Sequence, residues 1–191
     1  MKKLLMICAI ISVAGLASAA PTYLITFDEF PVGTQISNQY APLGVEFLPG
    51  NVTPGLPIID WNGAMPTQPI LRPQGEAGGN YIYQGDFWIH FTTTAVDVQF
   101  DSGYWDGVGT GVINVYDPYM NPLASLTNTT TGVNVTNVTG RIGYIYFNSI
   151  GDGAGADMDN LGFTPIPAPG AILLGGIGAG LVGWLRRRRT L

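Results

Sequence analysis

The chain has 191 residues and a formal net charge of −5, from 13 acidic and 8 basic residues. Six of the basic residues lie at the two ends, so residues 20–169 contain 13 acids and 2 bases, a formal charge of −11. This charge argues against nucleic acid or anionic lipid as a partner of the folded part. The single cysteine, Cys8, lies in the first ten residues, so a chain that loses its N-terminus has no disulfide and no thiolate metal site.

Residues 1–19 have the features of a secretory signal peptide. Lys2 and Lys3 precede an apolar run at residues 4–11, and residues 17–19 read Ala-Ser-Ala. A positive start, an apolar segment and small residues before the cleavage point are typical of an exported protein. We expect an N-terminal signal helix and cleavage after Ala19.

Short β-rich runs separated by turn residues follow between residues 20 and 164. No window keeps a helical period before residue 171, and the spacing of the runs favours an all-β domain. We predict an antiparallel two-sheet sandwich of a jelly-roll-like kind at residues 20–164, with a β-barrel as the alternative. The predicted strands are 22–27, 44–48, 81–84, 87–91, 95–100, 112–116, 123–127, 133–138, 142–147 and 159–163.

Residues 51–79 are rich in proline and glycine and have few strand signals. A long loop of this kind inside a domain is commonly functional or mobile. It contains Trp61, and a second predicted loop contains Tyr104 and Trp105 between two aspartates. These three aromatic residues are the candidate glycan contacts, since flat apolar rings beside carboxylates suit sugar rings. The alternative is that Trp105 closes the end of the sandwich as part of the core.

Acidic residues lie at the exit of the first predicted strand and at the entry to the last. If these strands are neighbours, their carboxylate and amide oxygens converge, and such ligands suit Ca²⁺ in a structural role. The alternative is that the same residues are solvated loop and turn positions. The candidate calcium ligands are Asp28, Glu29, Asp157, Asp159 and Asn160.

The sequence offers few catalytic groups. His90 is the only histidine and alternates with Trp88 on a predicted strand, which is more typical of a packed or half-exposed residue than of a base. A second histidine and a mature cysteine are both missing, so two-histidine zinc sites and Cys-His nucleophiles are excluded. We expect no enzymatic activity. A carboxylate pair for glycoside hydrolysis is the catalytic alternative.

Asn51, Asn128, Asn134 and Asn137 each begin an Asn-x-Ser/Thr triplet, the acceptor pattern for N-linked glycosylation. Three of these triplets fall in a threonine-rich stretch that also alternates like polar strands. The protein is therefore a candidate glycoprotein, and ordinary β-strand threonine usage is the alternative.

The C-terminal segment, residues 165–191, contains an apolar run at residues 171–185 followed by four arginines. A 15-residue helix is about 22 Å long, against a hydrocarbon core of about 30 Å. We therefore predict a transmembrane helix of marginal length. The arginine block is expected on the cytoplasmic side, with the β domain outside.

This tail, with its Pro-Ala-Pro-Gly sequence before the apolar run, resembles the PEP-CTERM sorting signal of bacterial exported proteins. The resemblance implies membrane anchoring that is at least transient, processing by an exosortase-like transpeptidase, and delivery to the cell surface or a polysaccharide matrix. Ala168 stands where the family has glutamate, which leaves open whether the usual enzyme cleaves this tail. The residues that carry the motif are Pro167, Ala168, Pro169, Gly170, Arg186, Arg187, Arg188 and Arg189.

The β domain has a second resemblance. Residues 27–34 and 43–47 at its start, and residues 157–163 at its end, are similar to the opening and closing strands of jelly-roll ectodomains that precede this sorting tail. Many carbohydrate-binding modules share that sandwich, which is a similarity of fold only.

These features predict an exported, non-catalytic protein of the cell surface or extracellular matrix. Its domains are a signal peptide (1–19), a β-sandwich ectodomain (20–164) and a sorting tail (165–191). The alternative function is a secreted carbohydrate-binding module or glycan-active enzyme that uses loop aromatics and carboxylates. Extracellular polysaccharide is the expected partner in that case, and nucleic acid is not.

Overall fold

The structure is a computed structural model that describes residues 21–53, 55–61, 69–73, 75–77, 80–82, 84–153 and 155–166, together with residues 177, 178 and 182. The predicted signal peptide lies outside the described residues, as do both parts of the sorting motif, residues 167–170 and 186–189. Only three residues of the predicted transmembrane helix are described. Among the described residues, no helix is long and apolar enough to cross a membrane.

Residues 21–166, where described, are built of strands, with one short 3₁₀ helix at Ala41–Leu43. The strands are β1 (Tyr23–Ile25), β2 (Val45–Pro49), β3 (Ile58–Asp60), β4 (Ile70–Arg72), β5 (Gly75–Ala77), β6 (Asn80–Ile82), β7 (Asp86–Gly103), β8 (Val112–Tyr116), β9 (Pro122–Thr127), β10 (Asn134–Val138), β11 (Ile142–Asn148) and β12 (Asp157–Pro165).

All strand pairs are antiparallel, so the predicted all-β antiparallel fold is confirmed. The sequence predicts two separate sheets, whereas hydrogen bonds join ten of the described strands into one sheet. The reason is β7, which is one strand of 18 residues where two strands are predicted. Its first half pairs with β2 and β11, and its second half pairs with β10 and β12. The jelly-roll comparison stays a prediction.

The two halves of this sheet face each other across one core. Phe91, from the first half of β7, lies 5.2 Å from Phe163 of β12, measured between ring centroids. Phe27, which follows β1, lies 5.9 Å from Phe47 of β2. All four rings are buried. Edge-to-face contacts of this kind add to the hydrophobic stabilisation of a core, and here they hold the two halves together.

The prediction of a long loop at residues 51–79 is wrong in part, because this segment contains β3, β4 and β5. β3 pairs with β4, and β4 joins the edge of β12 at Leu71 and Met158. Each of these strands has only three residues, which is too short to show a clear alternation in the sequence.

The packing between the halves can be tested at Phe163. Phe163→Ala removes a fully buried ring, and we expect it to lower the free energy of unfolding by about 3–5 kcal/mol. Urea denaturation of the purified full chain measures this loss. Leu24→Ala, at a side chain that is 57% exposed on the neighbouring strand β1, is the control and should change stability little. Equal effects of the two variants would contradict the described packing.

Candidate functional site

The first half of β7 and its neighbours β11 and β8 present aromatic side chains on the outer face of the sheet. Along β7, Phe87 and Ile89 point into the core, and Trp88 and His90 alternate with them on the outside. The registers Trp88↔Tyr146 and His90↔Tyr144 place the rings of the two strands side by side. We call the outer surface formed by five residues the aromatic face: Trp88, His90, Tyr116, Tyr144 and Tyr146.

The rings of the aromatic face contact one another. Ring centroids of Trp88 lie 4.7 Å from Tyr146, 5.6 Å from Tyr116 and 6.5 Å from Tyr144. The imidazole of His90 stacks on the ring of Tyr144 at 4.6 Å, with only 9° between the planes. Because each ring is supported by its neighbours and by a strand backbone, the surface is rigid before any ligand arrives.

The aromatic face is only partly exposed to solvent. Trp88, Tyr116 and Tyr144 are half-buried, and Tyr146 is buried beneath them. Half-buried rings are fixed by packing against their neighbours and leave part of their apolar surface open to solvent. Such a surface can contact a flat apolar ligand without first ordering its own side chains.

Polar groups border the aromatic face. On one side, the Nδ1 atom of His90 lies 3.6 Å from Glu46 Oε2, and both side chains are part-exposed. At one end, the indole N–H of Trp88 donates a hydrogen bond to Asn51 Oδ1 over 3.1 Å. The face thus combines apolar rings with hydrogen-bonding groups at its margins, the usual composition of a small-ligand site.

A buried carboxylate ties the aromatic face to the loop after β2. Asp86, which is fully buried, accepts hydrogen bonds from the backbone N–H groups of Asn51, Val52 and Thr53 and from the Thr53 hydroxyl. The hydroxyl of Tyr146 donates to the same carboxylate over 2.6 Å. The loop that holds the partner of Trp88 is therefore fastened directly to the base of the aromatic face.

The charge of this carboxylate is stabilised by its donors. Burial alone would raise the pKa of Asp86, but the hydrogen bonds from Thr53, Tyr146 and Val52 hold that pKa below its ordinary value. Burial and the adjacent carboxylate raise the pKa of Tyr146. Gly50 is required here, because a Cβ atom at that position would overlap the Asp86 carboxyl group.

The three predicted glycan contacts differ in how exposed their side chains are. Trp61 is 68% exposed and Tyr104 is 39% exposed, as expected for loop aromatics. The prediction for Trp105 is wrong, because this side chain is buried, with its ring 5.7 Å from that of Phe147. Gly111 makes room for the indole, since a Cβ atom there would overlap the ring. Trp105 instead closes the end of the core.

The terminal strands β1 and β12 are neighbours, as the calcium hypothesis requires. However, both oxygens of Asp157 face the guanidinium of Arg72, at 2.6 Å and 3.2 Å, which argues against this residue as a calcium ligand. Glu29 accepts a hydrogen bond from Tyr40, and Asp28 accepts one from the Thr26 hydroxyl 2 residues before it.

Asp159 and Asn160, the other two candidate ligands, make hydrogen bonds on β12. Asp159 accepts from the Asn160 backbone N–H, and the Asn160 amide donates to Asp101. Within the described residues, no group of three or more His, Cys, Asp or Glu side chains is arranged to hold a metal ion. Calcium binding stays a prediction.

The glycosylation triplets also separate into two groups. Asn128 and Asn134 are buried, and their side-chain N–H groups donate to backbone carbonyl oxygens. Asn51 and Asn137 are exposed. Folding therefore leaves only the second pair accessible to a modifying enzyme, and glycosylation itself stays a prediction.

Sequence reasoning missed the aromatic face, because it interprets His90 as a packed or half-exposed strand residue and gives no role to Trp88 or to the three tyrosines. The sequence does indicate this face, through the alternation of side-chain types along two strands. Phe87-Trp88-Ile89-His90-Phe91 and Tyr144-Ile145-Tyr146-Phe147 each place aliphatic or phenyl side chains on one face and polar aromatic side chains on the other. Only the pairing of β7 with β11 shows that the two polar aromatic rows meet.

No family model and no curated protein matches this chain. Solved structures of Family 29 Carbohydrate Binding Modules are similar to it. One CBM29-2 mutant has 12% identity and a TM-score of 0.34, covering 65% of this chain and 98% of that chain. A CBM29-2 mutant complexed with mannohexaose has 14% identity and a TM-score of 0.33, covering 62% and 90%.

The buried carboxylate can be tested with Asp86→Asn. The variant loses the anionic acceptor, and we expect a loss of about 1–3 kcal/mol in unfolding free energy at pH 7. Because the pKa of Asp86 is lowered by folding, its stabilising contribution is present above the ordinary value of 3.8 and disappears as the pH falls below it. The difference between the variant and the unmodified chain should therefore shrink in acid.

Urea denaturation of the full chain between pH 2.5 and pH 7 measures this difference. Asp28→Asn, at an exposed carboxylate, is the control and should leave stability nearly unchanged. A difference between Asp86→Asn and the unmodified chain that stays constant across this range would contradict the assignment.

Proposed function

We propose that this protein is an exported, non-catalytic carbohydrate-binding protein, and that its β domain contacts sugar rings with the aromatic face. The observation that carries the proposal is the set of half-buried, mutually supported rings of Trp88, Tyr116 and Tyr144 on the outside of a rigid sheet. A core does not require these rings, since the inner face of the same strands is already filled by phenylalanine and isoleucine.

Sugar rings suit such a surface for physical reasons. One face of a pyranose ring presents mainly C–H groups, and aromatic rings remove that apolar area from water. Because the rings are already fixed, binding costs little side-chain entropy. The hydroxyl groups at the edge of the sugar need polar partners. Glu46 and Asn51 border the aromatic face, and His90 within it adds a third polar group.

The charge of the domain narrows the class of ligand. With a formal charge of −11 between residues 20 and 169, the domain would repel polyanions, including nucleic acids and uronic acid polymers. The ligand we propose is therefore a neutral polysaccharide.

A binding role is favoured over a catalytic one. Two buried carboxylates already have partners within the protein. Asp86 accepts hydrogen bonds from a set of donors, and Asp157 pairs with Arg72. A glycosidase needs one carboxylic acid and one carboxylate facing the same sugar. The glycan-active enzyme is kept as an outcome of the binding experiment, since turnover of a ligand would reveal it.

Export is supported by the sequence. The predicted signal peptide at residues 1–19 begins with two lysines, and the apolar run at residues 171–185 is followed by four arginines. The positive charges at both ends are expected on the cytoplasmic side, which puts the domain between them outside. The tail is proposed to anchor the protein at least transiently in the membrane and to be processed by an exosortase-like transpeptidase. The mature protein would then reach the cell surface or the extracellular matrix.

Binding can be tested with Trp88→Ala in the purified full chain. Removing the central ring of the aromatic face should weaken binding to a neutral polysaccharide at least about tenfold, which corresponds to 1.4 kcal/mol. Affinity electrophoresis on a panel of cellulose derivatives, mannan, xylan and alginate measures the change, with thermal melting to confirm folding.

Tyr119→Ala is the matched control, because this tyrosine is 84% exposed and lies outside the aromatic face. Equal binding by Trp88→Ala and the unmodified chain would refute the aromatic face as the site. Release of soluble sugars from any polysaccharide would show that the protein is an enzyme. A preference for alginate would contradict the argument from charge.

Export can be tested by intact-mass spectrometry of the protein recovered from its native cell envelope. We expect a mass that lacks residues 1–19 and the segment after about residue 169, because both ends have processing signals. A mass that includes residues 186–191 would show a stably anchored protein, with Ala168 in place of glutamate as the reason. Protein recovered from the cytosol with an intact N-terminus would contradict export.

A further inference from the structure

Two exposed aromatic residues outside the aromatic face are linked through one buried arginine. Arg72, on β4, is 4% exposed and binds the fully buried Asp157 through two of its nitrogens. Its Nη1 atom also donates to Asp60 Oδ2 over 2.8 Å. We call Arg72, Asp60 and Asp157 the arginine cluster. Because three side chains with fixed geometry hold each other, the guanidinium has a single orientation.

The arginine cluster holds Trp61 through the backbone. The second carboxylate oxygen of Asp60 accepts a hydrogen bond from the Trp61 backbone N–H over 2.8 Å. One carboxylate thus connects the buried guanidinium with the residue that follows β3. Trp61 is 68% exposed. The cluster therefore fixes the backbone of a residue whose side chain contributes little to the core.

Tyr104 is held by the same cluster, at a cost in backbone conformation. Its φ angle is 68°, in the left-handed region that bulky side chains rarely adopt. Its ring lies 5.6 Å from the guanidinium carbon of Arg72, measured to the ring centroid, a cation–π contact. The side chain is nevertheless 39% exposed. Strain at an exposed aromatic residue is more typical of a binding residue than of a packing residue.

Tyr104 lies at the same end of the domain as one edge of the aromatic face. Trp105, the neighbour of Tyr104, packs on Phe147, which is paired with Phe87 at the start of β7. Trp88 is the next residue along β7. The loop with Tyr104 therefore returns to the end of the sandwich where the aromatic face begins.

We propose that Trp61 and Tyr104 form a second sugar subsite, and that a polysaccharide chain bound on the aromatic face continues around this end of the domain to reach it. This inference rests on the proposed function, because it takes the same class of ligand. Trp61 and Tyr104 contact the additional sugar rings, and Arg72 is a positioning residue. Two linked contacts on one chain raise the affinity for long ligands without changing the affinity for short ones.

The test compares ligands of different length. Isothermal titration of the full chain with tri- and hexasaccharides of cellulose, mannan and xylan gives two affinities for each polymer. Trp61→Ala and Tyr104→Gly should weaken hexasaccharide binding about tenfold and leave trisaccharide binding unchanged, because only the longer ligand reaches the second subsite. Trp88→Ala should weaken both. Tyr119→Ala, an exposed tyrosine elsewhere, should weaken neither.

Thermal melting separates binding from folding in these variants. Glycine adopts a φ of 68° without strain, so Tyr104→Gly should melt at a temperature equal to or above that of the unmodified chain while it loses hexasaccharide affinity. A clear drop in its melting temperature would show that Tyr104 has a structural role, which would overturn the inference. Unchanged hexasaccharide binding, or equal losses with both ligand lengths, would also overturn it.

The failure of this inference is distinguishable from failure of the proposed function. If Trp88→Ala weakens both ligands and the second-subsite variants weaken neither, the aromatic face stands and the second subsite is rejected. If the unmodified chain binds no saccharide in the panel, the proposed function and this inference both fall.

Discussion

The structure depends on the continuity of β7. A single strand of 18 residues belongs to both halves of the sheet, so its backbone fixes the position of each half relative to the other. Thr92, Thr93 and Thr94 lie where the strand passes between the halves, and the register with β11 is interrupted there. Because the two halves share a backbone, their inner faces meet without any long connection, and the core between them is one cluster.

The aromatic face is a consequence of the same strand. Side chains alternate across a strand, so a strand that sends Phe87 and Ile89 into the core must place Trp88 and His90 outside. β11 repeats the pattern in register, and polar aromatic residues accumulate on one surface. The carboxylate of Asp86, at the first residue of β7, then fixes the adjoining loop against this surface. The first residues of β7 thus contact the core, the aromatic face and the loop after β2.

The sequence predicts well what depends on local pattern. The strand at Val112–Tyr116 is found with the predicted bounds, and the antiparallel all-β fold is confirmed. It predicts poorly what depends on distant partners. Trp105 has the same local signature as an exposed loop aromatic, and only the space beside Gly111 determines that it is buried. The aromatic face likewise requires knowing that β7 and β11 are neighbours.

Arg72 shows how an acidic domain uses one of its few cations. Burying a guanidinium is costly unless carboxylates surround it, and Arg72 meets that condition with Asp157 and Asp60. Apolar residues of similar volume often stabilise a fold as well as a buried ion pair does, so such a pair is weak evidence for a stabilising role. This cluster holds two exposed residues in place, Trp61 through its backbone N–H and Tyr104 through its ring. A stabilising role alone would not explain why both residues are aromatic and keep exposed side chains.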